Sequence, residues 1–407
     1  MIRCIEILLP SNVFDLYRAT VQTFGHMQPL AALIAAIVPG DWKRRWIGWR
    51  NRTIANPRFQ SAAASLPLLR GVSRRHASEL FDLVAGFTYS QILLAAVESG
   101  LLDLLSEGPR SSEDVAKACG LSDQGALRLL RAGRALDLFE EVGEGRWLLG
   151  LRGAVLQADA GIQAMIRHHR LLYRDLSDPL GLLRQDRAEP TALSEFWTYA
   201  AAGSQKSDGN FAAYSDLMAQ SQAMVARQVV AAYDFSRVKA LLDVGGGLGI
   251  FAGAVAAAHP KLKLGVFDLP EVIANNQRKQ SSSEGSAMLR LHPGNFFADD
   301  LPEGYDCISL IRVLHDHDDD RAAELLLKAK RALPRNGRLL IAEPMADATG
   351  ARRMGDAYFG LYLWAMRSGR PRRSNEIGAL IERAGFSSWR AVDTAIPLVA
   401  SIVVATN

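Results

Sequence analysis

A chain of 407 residues, 49% of them hydrophobic and 22% charged, can build a large core, and wholesale disorder is excluded. A net charge of +4 is too small at this length to point to nucleic acid. Cys4, Cys119 and Cys307 lie far apart with no CxxC pair, which excludes a disulfide framework and a cysteine-built zinc site and suits a reducing compartment.

Residues 1–75 form a basic, tryptophan-rich extension. From Asp41 to His76 the charged residues are Lys43, Arg44, Arg45, Arg50, Arg52, Arg58, Arg70, Arg74 and Arg75, with Asp41 as the one acid. Trp42, Trp46 and Trp49 interleave with them. That mixture suits a membrane interface or an acidic partner through residues 42–52, or equally a helix whose tryptophans pack on the body of the protein. Glu6 and Asp15 interrupt the N-terminus, so no signal peptide is expected. The apolar stretch Pro29–Pro39 is about half of the ~20 residues a spanning helix needs. The expected location is cytoplasmic, with peripheral contact to a membrane as an open alternative.

Residues 76–160 read as helices followed by a winged helix-turn-helix. ELFDLVAGFTYSQILLA has apolar residues at helical spacing, and SSEDVAKACGLSDQGALRLLRAGRALDLFEEV gives helix, glycine turn, helix. Ser111 or Ser112 suits the first N-cap and Ser122 or Asp123 the second, while GEGRWLLG can form the wing. The second helix offers only Arg128, Arg131 and Arg134 as basic residues, so dimerisation or substrate covering is favoured over DNA readout, and no nucleic acid is expected. Residues 161–235 read as connecting helices. From 236 to 407, strand and helix patterns alternate (KALLDVGGG, LKLGVFDL, YDCISLIRVL, GRLLIAEPM), which implies a parallel sheet covered on both faces and closed by a terminal hairpin.

The chemistry concentrates in this last region. Leu241-Leu242-Asp243-Val244-Gly245-Gly246-Gly247-Leu248-Gly249 is a strand running into a glycine turn, where Gly245 and Gly247 allow close backbone approach to a ligand. Asp243 would repel a pyrophosphate but suits the cationic methionine end of S-adenosylmethionine, which favours that cofactor over a dinucleotide. Asp268 follows 25 residues later at the end of the next strand, suited to ribose hydroxyls or to capping the next helix. Asn295 and Phe296 in PGNFF can border the adenine. His315 is the first polar residue beyond ISLIRVL and suits a general base, and Glu343, ending LLIAE, can orient its ring. A metal run over His315, Asp316, His317, Asp318 and Asp319 lacks a second ligand cluster, so no metal is expected; Asp318 to Asp320 suit the start of a helix instead.

At these residues the chain resembles the S-adenosylmethionine-dependent O-methyltransferases that include plant caffeic acid and flavonoid enzymes. The resemblance runs from about Leu80 to the C-terminus. It implies a Rossmann-like class I methyltransferase domain preceded by a helical, winged-helix-like dimerisation domain, with His315 as catalytic base and Glu343 beside it. Apolar helices between Arg75 and Leu156 lead to the same expectation of a homodimer. Three positions depart from the family: Asn295 replaces a common Asp, Ile311 followed by Arg312 replaces a common Lys, and Pro371 stands where a second glutamate usually flanks the histidine.

Within the family, the long extension, IRHHRLLYRDLSDPLGLL and RVLHDHDD resemble the branch that methylates the 1-hydroxyl of acyclic carotenoids such as hydroxyneurosporene and demethylspheroidene. Tyr362 and Met366 lie on the segment that covers the family's acceptor site, and Met218 and Met224 lie on another candidate pocket helix, methionine being adaptable to long apolar ligands. An O- or C-methyltransferase of another aromatic, polyketide or chlorophyll-type pigment remains as an alternative, as does a winged-helix regulator that responds to S-adenosylmethionine.

Overall fold

The structure, a computed structural model, describes residues 42–184, 189–196, 221–281, 289–350 and 353–407. The chain divides into two compact units, Met1–Gln91 and Ile92–Asn407.

The described part of the first unit is helical: α1 (Trp42–Ala55), α2 (Pro57–Ser65) and the start of α3 (Pro67–Glu98). Prolines open α2 and α3 because the first helical position needs no amide hydrogen, and the Asn56 side chain caps α2 by accepting from the Arg58 amide at 2.9 Å. α3 runs through residue 75, where composition changes but helical periodicity does not. The stretch Leu69–Glu98 is long and apolar enough to cross a membrane by length and composition.

The second unit opens with α4 (Leu101–Ser106), β1 (Arg110–Ser111), α5 (Ser112–Cys119), α6 (Asp123–Ala135), β2 (Phe139–Val142) and β3 (Arg146–Leu149). The three strands pair antiparallel in the order β1-β3-β2, which makes the winged helix-turn-helix. Its local signals act as the sequence implies. Ser111 and Asp114 form a reciprocal capping box on α5, and Ser122 caps α6 through the Gly125 amide. Leu130, Phe139 and Trp147 are fully buried in this subdomain's core. α7 (Leu151–Ala158), α8 (Ala160–Asp175), α9 (Pro179–Arg184) and a helix over 221–232, here α10, lead to the large sheet.

That sheet has seven strands: β4 (Ala240–Val244), β5 (Lys263–Asp268), β6 (Arg290–Pro293), β7 (Cys307–Ile311), β8 (Arg338–Glu343), β9 (Ser388–Val392) and β10 (Ser401–Thr406). Their order is β6-β5-β4-β7-β8-β10-β9, with β10 antiparallel to both neighbours and the rest parallel. β4 and β7 are buried along their whole length because helices cover both faces. Leu242, Val244, Ile308 and Leu310 point into one core, while Leu241, Cys307 and Ile311 point into the other, the period-two alternation of a strand. The helices are α11 (Ile250–Ala258), α12 (Pro270–Ser281), α13 (Asp319–Ala332), α14 (Gly360–Ala365) and α15 (Ser374–Arg383). Strand order reverses between β4 and β7, and a sheet of this kind binds its ligand beyond the carboxyl ends of the strands at that reversal.

Candidate active site

The glycine turn follows β4 and the HDH turn follows β7, so two adjacent parallel strands deliver both to one edge of the sheet. Gly245 and Gly247 have φ of 69° and 57°, the left-handed region that favours glycine. A β-carbon on Gly245 would lie 2.8 Å from Val313 Cγ2 and 3.8 Å from Phe296 Cε1, so segments after β4, β6 and β7 converge there. At Gly247 such a carbon meets nothing within 4 Å.

Asp243 is buried beside that open turn. Its register partner Ser309 donates to Oδ1 at 2.7 Å, while Oδ2 has no hydrogen-bond partner among the described residues. Burial, helped by the charge of Asp268, pushes the Asp243 carboxyl up to about 7 against the single bond from Ser309. A buried acid with one bare oxygen fits the positively charged end of S-adenosylmethionine.

Asp268, ending β5, accepts from the Gly247 amide at 2.7 Å through Oδ2 and from the Leu269 amide at 2.7 Å through Oδ1. It therefore ties the glycine turn to β5, and the α12 helix is opened by the Leu269 carbonyl, which accepts from the Ile273 amide. Asn295 is exposed, and its side-chain oxygen accepts from the Phe297 amide at 2.9 Å, so it shapes the PGNFF turn. Phe296 and Phe297 pack edge-on to each other with ring centres 4.6 Å apart.

His315 lies on a short 3-10 turn, Leu314–Asp316, and is 4% exposed. Glu343 reaches it differently from the expectation: Glu343 Oε2 accepts from the backbone amide of His315 at 3.0 Å, not from its ring. The ring's Nε2 instead sits 3.1 Å from Asp316 Oδ1. His315 Nδ1 and Glu343 Oε1 are both buried and have no hydrogen-bond partner among the described residues. Burial works against the imidazolium, but the carboxylates of Asp316 and Glu343 outweigh it and raise the His315 pKa above its ordinary value, with Arg312 opposing. Arg312 follows β7 in left-handed backbone at φ 57°.

His317 packs its ring edge-on against Phe296 and Phe297, the phenylalanines of the PGNFF turn, at 5.6 and 4.9 Å, while burial lowers its pKa. Asp318 occupies the N-cap position of α13, with Asp319 and Asp320 in the first turn. Among the described residues no group of three His, Cys, Asp or Glu side chains is arranged to hold a metal ion.

Tyr362 and Met366 are buried together with Phe359, Leu182 and Leu193; Phe359 lies 6.0 Å from the His315 ring, centre to centre. Met224 is half-buried on α10, whose first described residue, Ser221, accepts from Arg312 at 3.0 Å. Met218 lies outside the described residues. Sequence reasoning missed two histidine–tyrosine pairs, the buried His168 Nε2 with the Tyr362 hydroxyl at 2.9 Å and the half-buried His169 Nε2 with the Tyr358 hydroxyl at 2.6 Å. The adjacent histidines on an amphipathic helix were the available signal. Asp316 was equally visible, as the residue between the two histidines.

A glycine turn beside a bare buried acid, with a buried histidine after the neighbouring strand, describes a methyltransferase. The chain belongs to the O-methyltransferase family: residues 173–387 match the O-methyltransferase domain and residues 81–150 the O-methyltransferase dimerisation domain. It is an S-adenosylmethionine-dependent O-methyltransferase of class I fold. The chain is 40% identical to demethylspheroidene O-methyltransferase of Cereibacter sphaeroides over 88% of its own length and 94% of the relative's. It is 39% identical to the Rhodobacter capsulatus enzyme of the same name, over 88% and 89%. The crystal structure of human N-acetylserotonin methyltransferase in complex with SAM superposes with a TM-score of 0.68 at 26% identity, covering 82% of this chain and 97% of that one.

Proposed function

We propose that this enzyme methylates the tertiary 1-hydroxyl of an acyclic carotenoid of the hydroxyneurosporene or demethylspheroidene type. The observation that carries the reading is the 40% identity to a demethylspheroidene O-methyltransferase along nearly the whole of both chains. The apolar surroundings of Phe359, Tyr362 and Met366 near His315 support it, because a polyene needs a long greasy sleeve beside the base.

S-adenosylmethionine supplies a methyl group already activated on a sulfonium. In this proposal Asp243 faces the cofactor's positive end, Gly245 and Gly247 let the backbone approach it, and Asp268 serves its ribose. Asn295 and Phe296 shape the wall of the adenine pocket, and Tyr362 and Met366 line the acceptor side. The protein's chief task is alignment of acceptor oxygen and methyl carbon. His315 takes the hydroxyl proton on its ring as the new carbon–oxygen bond forms. Asp316 and Glu343 stabilise the resulting imidazolium, in keeping with the raised His315 pKa. A tertiary alcohol is a much weaker acid than a phenol, so proton removal accompanies transfer.

We also propose that the enzyme is a cytoplasmic homodimer that meets its apolar acceptor at a membrane surface through residues 42–52. The three tryptophans of α1 share one helical face at spacings of four and three, and no side chain of α1 is buried.

Labelled S-adenosylmethionine and purified enzyme, offered acyclic carotenoid alcohols, phenols and chlorophyll-type pigments in separate arms, should give a labelled product only in the carotenoid arm by mass spectrometry. A phenolic or chlorophyll-type product at higher kcat/KM would overturn the acceptor assignment. In the productive arm, His315→Ala should lower kcat by roughly 10²–10⁴-fold with cofactor affinity nearly unchanged. Normal turnover in that variant would remove His315 as base.

A further inference from the structure

The segment 368–372 holds one of the three departures from the family pattern, with Pro371 where the resemblance places an acid beside the imidazole. The same segment collects the backbone carbonyls of the HDH turn one after another. Arg372 Nη1 donates to the Leu314 carbonyl at 2.8 Å, the Arg370 amide to His315 at 3.0 Å, the Ser368 hydroxyl to Asp316 at 2.5 Å, and Arg372 Nη2 to His317 at 2.7 Å. Arg372 has no exposed surface, which is rare for a guanidinium, and Asp319 takes two more of its donors, with Nε at 2.9 Å and Nη2 at 2.8 Å from Oδ1. Gly369 permits the approach: its φ is 76°, and a β-carbon there would lie 2.0 Å from the His315 carbonyl oxygen.

We propose that Ser368–Arg372 is a strap that positions the catalytic imidazole through its backbone, with Arg372 as the positioning residue that spans the turn. His315 is then held at both of its backbone polar groups, Glu343 on the amide and Arg370 on the carbonyl. With the main chain so fixed, the ring sits where Asp316, its sequence neighbour, reaches Nε2. In this chain the imidazole takes its near carboxylate from the turn itself, and the strap contributes rigidity instead of a second acid. Lysine cannot replace Arg372, because the Leu314 carbonyl, the His317 carbonyl and Asp319 require a planar fork with separated donors.

This inference rests on His315 being the base, so His315→Ala is measured in the same series on the full chain with the carotenoid alcohol. Displacement of a catalytic group by an ångström costs about a hundredfold in rate. Arg372→Lys is therefore expected to lower kcat by roughly 10–100-fold while the dissociation constant for S-adenosylmethionine stays within about threefold, since the cofactor turn lies on another strand. As the ring loosens from Asp316 and Glu343, with the Arg312 charge retained, its pKa relaxes toward the ordinary value. The rising limb of kcat against pH then moves to lower pH. In the double variant His315→Ala/Arg372→Lys, turnover should equal that of His315→Ala alone, because the strap acts through the missing ring. Ser368→Ala, which removes one bond and leaves the core intact, should show the same signature at smaller amplitude, and it decides the matter if Arg372→Lys does not fold. A folded Arg372→Lys or Ser368→Ala enzyme with unchanged kcat and pH profile overturns the strap. So does loss of cofactor affinity in step with kcat, or further loss in the double variant. Normal turnover in His315→Ala would instead overturn the base assignment.

Discussion

At the scale of single residues, the informative side chains are those with a buried polar atom left bare. Asp243 is one of these: its carboxyl is pushed up to about 7 by burial and by Asp268, and Ser309 satisfies one oxygen only. In the cofactor-free protein a sizeable fraction of Asp243 is protonated at neutral pH, and a bound cation favours the ionised form. Binding of S-adenosylmethionine should therefore release protons and strengthen as pH rises through 7. Calorimetry in two buffers of different ionisation enthalpy reads the release directly. Heats that do not depend on the buffer, with flat affinity from pH 6 to 8, would contradict the assignment, whereas Asp243→Asn should abolish the pH dependence and weaken binding. Asp243, the glycines, Asp268 and His315 are legible in the sequence because each ends a strand pattern, and a strand end in a parallel sheet is a defined place. Asp316 as the ring's partner is not, because adjacency in a chain does not say which way two side chains turn.

At the scale of elements, α8 presses two adjacent histidines against the π-helical turn Arg353–Phe359 and α14. Burial lowers the pKa of His168 and of His169 to about 4, so both are neutral partners of Tyr362 and Tyr358 at physiological pH. The unfolded chain takes up a proton at each histidine near pH 6.5, which the folded chain does not until about pH 4. Stability is thus complete above about 6.5 and is lost as pH falls toward 4. The loss is on the order of 3 kcal/mol for His168 and less for the half-buried His169. Urea denaturation at fixed protein concentration should show that loss in the wild type and a smaller one in His168→Gln/His169→Gln, which retains a hydrogen-bonding group for each tyrosine. Equal pH slopes in the two proteins would clear these pairs of any part in acid lability. The helix itself was readable from its periodicity, but its tyrosine partners lie 194 and 189 residues away and were not.

At the scale of the whole molecule, the dimerisation domain begins in α3, where Leu80, Phe81, Leu83, Val84 and Phe87 are all exposed, Phe87 by 74%. A run of that size in water needs a cover. The dimerisation match over 81–150 favours a second copy of the chain over a bilayer, although Leu69–Glu98 meets the length and composition of a span. Light scattering should give twice the 44.4 kDa chain mass for the wild type and a shift toward one chain mass for Leu83→Asp/Phe87→Asp. A wild-type monomer at micromolar concentration would refute the dimer. Trp42→Ala/Trp46→Ala/Trp49→Ala should remain dimeric but lose co-sedimentation with anionic phospholipid vesicles, and undiminished co-sedimentation would end the membrane reading of α1.

By itself the sequence determined the alternating sheet, the winged helix with its capped helices and the glycine turn. Each of these is written locally, in a two- or 3.6-residue period, a cap or a run of glycines. Only the tertiary structure decided how His315 is held. Glu343 on the His315 amide and Arg372 on the Leu314 carbonyl are 28 and 58 residues distant in the chain. No local pattern says which of a carboxylate's two oxygens, or of a histidine's backbone and ring, a distant partner will meet. That is settled when β7 and β8 pair and the 368–372 strap closes over the turn between them and α13.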